Sequence, residues 1–332
     1  MTSDYNNTHR AFLQAFLSHS TLTLSTARPI LAAILTAHDP DRPVPTNDIT
    51  NEELLAYIHA LNSALSPFDL EIRSTRPQTR ISSDRNGDPA ASNNERVYAL
   101  VNASGDPAAQ LATTYSPEEL AFAKRVLDAM FETNNTVRAE QCCVGGIQAV
   151  QLHKAPRSGT AGAGGRESTV GGAGQAAGGG GQGITMAQAE RVLAELVEEG
   201  WFERSKGGFY TLSPRGLMEL RGWLVDTYNE GVEEGDGEDV GLERVKNCHA
   251  CKEIVIVGQR CPNRDCSCRL HEFCTANFFQ MQRSRTCPIC KSNWEGYGHV
   301  GEKAAKGAGN ARRTTGGSRR TTNQTVDSDE ED

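Results

Sequence analysis

The chain has 332 residues, with 34 Lys and Arg against 42 Asp and Glu for a net charge of −8, and it carries ten cysteines. Its longest apolar run, near Ile30 to Leu35, falls far short of the roughly 20 residues that a bilayer crossing needs, which excludes a helical membrane span. The start, Met1 to Asn7, has no basic stretch followed by an apolar core, and every cysteine but Cys142 and Cys143 crowds toward the C-terminus at metal rather than disulfide spacing, so a soluble intracellular chain is expected.

At this length the chain exceeds one ordinary core of about 100 to 200 residues, and shifts in composition divide it. Residues 8–104 read as a first unit. Helices run from about Arg10 to Ser18, Ala27 to Ala37 and Glu52 to Leu65, then strands Asp69 to Arg73 and Arg96 to Asn102 flank a long polar hairpin tip, Pro77 to Asn94. Residues 112–228 repeat the same order more clearly. Ser116-Pro117-Glu118-Glu119 is a capping box with Pro at the first helical position, and it opens a helix with Leu120, Phe122, Ala123, Val126, Leu127 and Met130 at helical spacing. Residues 156–183 are almost entirely Gly, Ala and Ser, too poor in apolar side chains to offset ordering entropy, and read as a flexible, disordered insertion. Beyond it Thr185 caps a helix with Val192, Leu193, Leu196 and Val197 on one face, stopped by Gly200. Trp201 to Arg204 and Phe209 to Leu212 make a hairpin around a Gly-Gly turn, and Ser213-Pro214 starts a closing helix through Leu217, Leu220 and Leu224. The expected fold is mainly α with small β hairpins: tandem winged-helix domains followed by a zinc module. The plainer alternative for the first part is an irregular helical domain.

Winged helices often bind DNA, but the helix from Met186 to Glu199 carries Glu190, Glu195, Glu198 and Glu199 against Arg191 alone. Phosphate contact depends on Lys and Arg displacing counterions, so this unit is expected to bind protein. Residues 229–246 form an acidic, Gly-rich linker that suits a hinge. The tail, 297–332, is expected to be disordered, basic at first (Lys303, Lys306, Arg312, Arg313, Arg319, Arg320) and acidic at its end. Its basic stretch offers a weak, non-specific contact for DNA, and Ser328 in D-S-D-E-E-D resembles an acidic-directed kinase site.

Between linker and tail, residues 247–294 hold eight metal-type ligands in the order C-H-A-C, C-P-N-R-D-C, H-E-F-C, C-P-I-C. Zinc takes four tetrahedral thiolate or imidazole ligands, and a two-residue turn aims both members of a close pair at one ion. In a cross-brace the first and third pairs share one ion and the second and fourth the other. Cys248, Cys251, His271 and Cys274 are therefore assigned to one zinc, and Cys261, Cys266, Cys287 and Cys290 to a second. Cys268 is the alternative to Cys266. His249 is read as a solvated surface histidine, and Cys142 and Cys143 as ordinary buried thiols. Such closed sites scaffold a fold and leave no position for reacting water. Ile254 to Val257, Phe278, Phe279, Pro288 and Ile289 form either a displayed apolar groove or the small core between the two ions.

The C4HC3 order ending in C-P-I-C-K resembles the variant RING finger of the non-SMC element one family, the RING subunit of the Smc-five/Smc-six chromosome-maintenance complex. The second unit, from Tyr115 through the hairpin at Phe209 to Tyr228, looks like that family's second winged helix. The widened C-x4-C pair and the long Gly-rich insertion depart from the pattern. The resemblance implies a RING-type E3 ubiquitin ligase in the nucleus, acting in DNA repair and recombination by holding a ubiquitin-charged conjugating enzyme. Pro288, Lys291 and Ile254 are the candidate contacts to that enzyme or to ubiquitin. It also implies docking to a MAGE-type winged-helix subunit and to a kleisin subunit. C4HC3 is equally the PHD order, so a non-catalytic interaction or scaffold subunit is the alternative. Arg285, where a PHD finger usually places an aromatic residue, favours RING.

Overall fold

A computed structural model describes residues 5–78, 95–103, 114–155, 183–229 and 243–307. Most of the Gly-rich insertion, the middle of the acidic linker, most of the first hairpin tip and the arginines and Ser328 of the tail lie outside the described residues.

The first unit is built from α1 (Asn7–Ser18), β1 (Leu22–Thr23), α2 (Leu24–His38), α3 (Asn51–Leu65), β2 (Leu70–Thr75) and β3 (Val97–Asn102). Thr23 caps α2 through the Thr26 amide and Thr50 caps α3 through the Glu53 amide, so each start is fixed by a short hydroxyl side chain. Phe12, Leu31, Leu54 and Leu61 are wholly buried between the three helices. The sheet order is β1-β3-β2, with β2 and β3 antiparallel from Leu70 opposite Asn102 to Thr75 opposite Val97. Strand β2 is an edge, and Asn62 of α3 covers it: its carboxamide accepts from the Ile72 amide at 2.8 Å and donates to the Ile72 carbonyl at 3.1 Å. A side-chain amide here does what a further strand would do.

The second unit repeats this order with α4 (Pro117–Asp128), β4 (Val144–Gly145), α5 (Gly146–Gln151), α6 (Met186–Glu198), β5 (Phe202–Arg204) and β6 (Phe209–Leu212), and its sheet order is again edge-centre-edge, β4-β6-β5. Both capping boxes form, Ser116 with Glu119 and Thr185 with Gln188. Gly200 ends α6 at φ +79°, a left-handed position that costs glycine little. The closing segment differs from its expected single helix. It breaks at Leu220 into α7 (Pro214–Glu219) and α8 (Arg221–Tyr228), and the bend buries both Leu220 and Leu224. Met218 of α7 packs on Ala99 and Val101 of β3, which joins the two units.

The finger contains β7 (Gly258–Arg260), β8 (Arg269–Leu270), α9 (Glu272–Gln282) and β9 (His299–Val300), with sheet order β8-β7-β9. Two expectations are corrected here. The linker does not act as a hinge at its described end, because the Asn229 carboxamide accepts from the amides of Arg244 and Val245, both at 2.9 Å, and donates to the Val245 carbonyl. One continuous apolar core then runs from Phe122 and Leu193 of the second unit to Leu270 and Trp294 of the finger. The tail, in turn, does not begin at residue 297: β9 completes the finger's sheet, and residues 302–307 form a helical turn beyond it. Glu302 on that turn, paired with Lys306, lies at the tip of the β5–β6 hairpin, so near Gly207 that a Cβ there would collide with its carboxylate. Lys303 pairs with Glu272 at 2.6 Å, so the first basic residues of the tail are engaged within the fold.

A further tie between the second unit and the finger is electrostatic. Glu140, between α4 and β4, is buried and receives both Nε and Nη2 of Arg269, the ammonium of Lys246 at 2.7 Å and Arg260 at 3.5 Å, while the Gly301 amide donates to its backbone carbonyl at 2.8 Å. Burial alone would raise its pKa, but the Arg269 hydrogen bonds and charge, helped by Lys246, outweigh burial and hold it down at about 2. The stability this gives is complete above the ordinary carboxyl value of 4.5 and is lost progressively as pH falls from there through about 2. Replacing Glu140 by Gln leaves the Arg269 guanidinium, 1% exposed, without its counter-charge. We expect a loss of about 3–5 kcal/mol in denaturant unfolding at neutral pH, and a loss below about 1 kcal/mol would refute the role given to this carboxylate. Ending the chain after Glu295 should likewise lower the melting temperature by several degrees, whereas ending it after Gly307 should leave it unchanged; equal melting temperatures would show that β9 contributes nothing.

Candidate metal centre

The first and last ligand pairs are each placed by a tight local turn. In the first pair the Lys252 amide donates back to the Cys248 carbonyl at 2.9 Å, and in the last pair the Lys291 amide donates to the Cys287 carbonyl at 3.0 Å. Both lysines have left-handed backbones, φ +64° and +61°, so the residue following each close pair carries the reversal. His271 occupies the N-cap position of α9 without a side-chain capping bond, and Cys274 lies in its first turn, which brings the third pair to the first through the helix start.

The result is two groups of four ligand atoms, each group within 4.8 Å of one another: Cys248, Cys251, His271 and Cys274 in one, Cys261, Cys266, Cys287 and Cys290 in the other. In the first, His271 Nδ1 lies 3.3 Å from Cys251 Sγ; in the second, Cys261 and Cys290 sulfurs are 3.4 Å apart and those of Cys266 and Cys287 are 3.7 Å apart. Zn–S bonds near 2.3 Å set tetrahedral ligand edges of about 3.5–4 Å, so both sets fit a zinc ion, one with three sulfurs and a nitrogen and one with four sulfurs. The pairs interleave along the chain, which is the cross-brace. Cys268 is buried beside the second group but outside it. Its carbonyl and that of Cys266 accept from Arg269 Nη1 at 2.8 and 2.7 Å, so the guanidinium that holds Glu140 also braces the second-zinc loop.

Several other residues take positions the sequence left open. His249 is half-buried rather than solvated, edge-on to Phe278 at 5.8 Å, and joins neither ligand group. Cys142 and Cys143 are buried thiols, and burial pushes Cys143 up to about 12, far from reactivity at neutral pH. Ile254, Val255 and Ile256 are at most 4% exposed, so the first loop is core and not a displayed groove. Ile254 therefore cannot offer its side chain to another protein. Pro288 is half-buried, Ile289 is 49% exposed, and Lys291 is exposed, its ammonium resting 2.9 Å from the Pro288 carbonyl. The groups the sequence did not single out are Glu140, Arg269, Asn229 and Gln78. Arg269 alone had a local signal, a long cation set between Cys268 and His271.

The fold and site define a protein in which two repeated helix-and-hairpin units pack with a cross-braced RING-like finger whose two ligand groups each fit a zinc ion. A family model described as "Nse1 non-SMC component of SMC5-6 complex" matches residues 9–220, and a RING-like domain model matches residues 248–290. The chain belongs to the Nse1 family of non-SMC components of the SMC5-6 complex. It is 22% identical over 286 residues to the human non-structural maintenance of chromosomes element 1 homolog, covering 86% of this chain and 83% of that one. It is also 22% identical to element 1 of Schizosaccharomyces pombe, across 71% of this chain and 75% of that one. A solved structure described as the Nse1-Nse3-Nse4 complex contains a chain with the same fold, with a TM-score of 0.61, 22% identity, and coverage of 88% of this chain and 98% of that chain.

Changing Cys266 to Ser should leave one zinc per chain by metal analysis, while Cys268→Ser should retain two. The reverse result would exchange the fourth ligand of the second site.

Proposed function

We propose that this chain is the RING-type ubiquitin ligase subunit of an SMC5-6 complex, working in the nucleus in DNA repair and recombination. The observation that carries the reading is the last ligand pair. In a closed zinc cross-brace, Pro288 and Ile289 reach solvent within the C-P-I-C turn, and the exposed Lys291 stands immediately after the last ligand. The two zinc ions supply structure, their four-ligand sites leaving no position for water. The chain's own chemistry is placement. Pro288 and Ile289 would seat a conjugating enzyme, and the Lys291 ammonium, released from the Pro288 carbonyl, would bridge that enzyme and its ubiquitin. Holding the thioester in one attack-ready arrangement raises the rate at which a substrate lysine reacts, with no covalent intermediate on this chain.

We read the two repeated units as winged helices. Their order of helix, strand, helix, helix, strand, strand and their matching sheet orders support this. Their role in the proposal is to dock a MAGE-type subunit and a kleisin subunit. The solved relative, described as a complex with Nse3 and Nse4, points the same way. DNA contact through α6 is disfavoured, since its Arg191 is already paired with Glu119 and Glu195.

The burial of Ile254 favours a second reading, a scaffold finger that recruits no conjugating enzyme. An in vitro transfer assay with a panel of conjugating enzymes, on two-zinc protein with its MAGE-type partner present, separates the two. The ligase reading expects ubiquitin chains that disappear with Cys251→Ala and fall about tenfold with Lys291→Ala, equivalent to about 1.4 kcal/mol, with zinc content unchanged in the latter. Silence across the panel would establish the scaffold reading.

A further inference from the structure

The segment that leaves β2, Arg76 to Gln78, crosses from the first unit to the finger, where Gln78 lies against the loop from Ile254 to Val257. The Gln78 carboxamide uses both of its ends there. Its Nε2 donates to the Ile254 carbonyl at 2.6 Å, and its Oε1 accepts from the amides of Ile256 and Val257 at 2.9 and 3.1 Å. The same Ile254 carbonyl lies 3.1 Å from His271 Nε2, while His271 Nδ1 faces the Cys251 sulfur. A carbonyl that accepts from Nε2–H fixes the tautomer in which the Nδ1 lone pair is free for a metal. Arg76 reaches the same histidine only through Phe273. Its guanidinium carbon stands 5.7 Å over the Phe273 ring, which stacks on His271 at 4.8 Å and 10°.

We propose that Gln78 is a positioning residue of the first zinc site. Through the shared Ile254 carbonyl it orients the only nitrogen ligand of the eight, and so the first unit and the first zinc stabilise one another. The second site has a different support, Arg269 held by Glu140 of the second unit. Each zinc is thus braced by a separate part of the chain. Since coupling between two sites is reciprocal, anything that shifts the first unit off the finger loosens one metal and not the other. The proposal holds whether the finger recruits a conjugating enzyme or acts as a scaffold.

Cobalt substitution tests it, because a site with three sulfurs and a nitrogen and a site with four sulfurs give distinct visible spectra. In the full chain, Gln78→Ala should speed chelator removal of cobalt from the three-sulfur, one-nitrogen site by about tenfold, the low end of the affinity cost of an outer-shell change because the Ile254 carbonyl itself stays, and leave the four-sulfur site at its wild-type rate. Gln78→Glu keeps acceptors for the Ile256 and Val257 amides but cannot donate to Ile254, and should show the same selective loss. Equal rates in variant and wild type, or equal acceleration at both sites, would overturn the proposal. Should neither variant fold, wild-type protein reads the coupling in reverse. Stripping the first site should then raise deuterium uptake in residues 70–78 and not in α6, and unchanged uptake in residues 70–78 would be equally fatal.

Discussion

One buried carboxylate ties the finger to the second unit. Glu140 belongs to the second unit, while Arg260 and Arg269 belong to two strands of the finger and Lys246 to the end of the linker, so a single anion gathers cations from three separate stretches of chain. Burying such groups is costly unless each is paired and its remaining hydrogen bonds are satisfied. Here they are: Arg269 spends its other nitrogen on the carbonyls of Cys266 and Cys268, and Arg260 reaches the Val137 carbonyl at 2.9 Å. The arrangement specifies one orientation of finger against unit, and the apolar core that runs through both closes around it.

This constraint changes what the domain plan means. A finger on a hinge would search for its partners independently of the units before it. A finger held by Glu140, by the Asn229 clamp and by Glu302 against the hairpin turn presents Pro288, Ile289 and Lys291 at a fixed place relative to the surfaces proposed to bind other subunits. Whatever docks on the helical units is then set at a defined distance from whatever docks on the finger. For a ligase that geometry would aim a charged conjugating enzyme at a restricted set of lysines, and for a scaffold it would fix the spacing of two partners.

The sequence was most legible where structure is local. Cys and His spacing announced both ligand groups, the capping box at Ser116 and the cap at Thr185 announced two helix starts, and the Gly207-Gly208 turn announced a hairpin, because each is decided within a few residues. It was least legible where contacts are long-range. Glu140 and Arg269 are 129 positions apart and Gln78 and Ile254 are 176 apart, and neither pair carries a local pattern. The order of residues 297–307 was hidden for the same reason: a two-residue strand is too short to show alternation, and its partner β7 lies some forty residues earlier. Ile254 to Val257 could be read as groove or core, since an apolar run says that it seeks burial but not against which neighbour.

Residual dipolar couplings test the rigid fusion directly. Amide couplings from α4, α6 and β6 and from β7, β8 and α9, collected in one alignment medium, should fit a single alignment tensor with the finger oriented as described. Two tensors of clearly different magnitude would mean that the finger moves independently of the second unit, and the account built on Glu140 would be wrong.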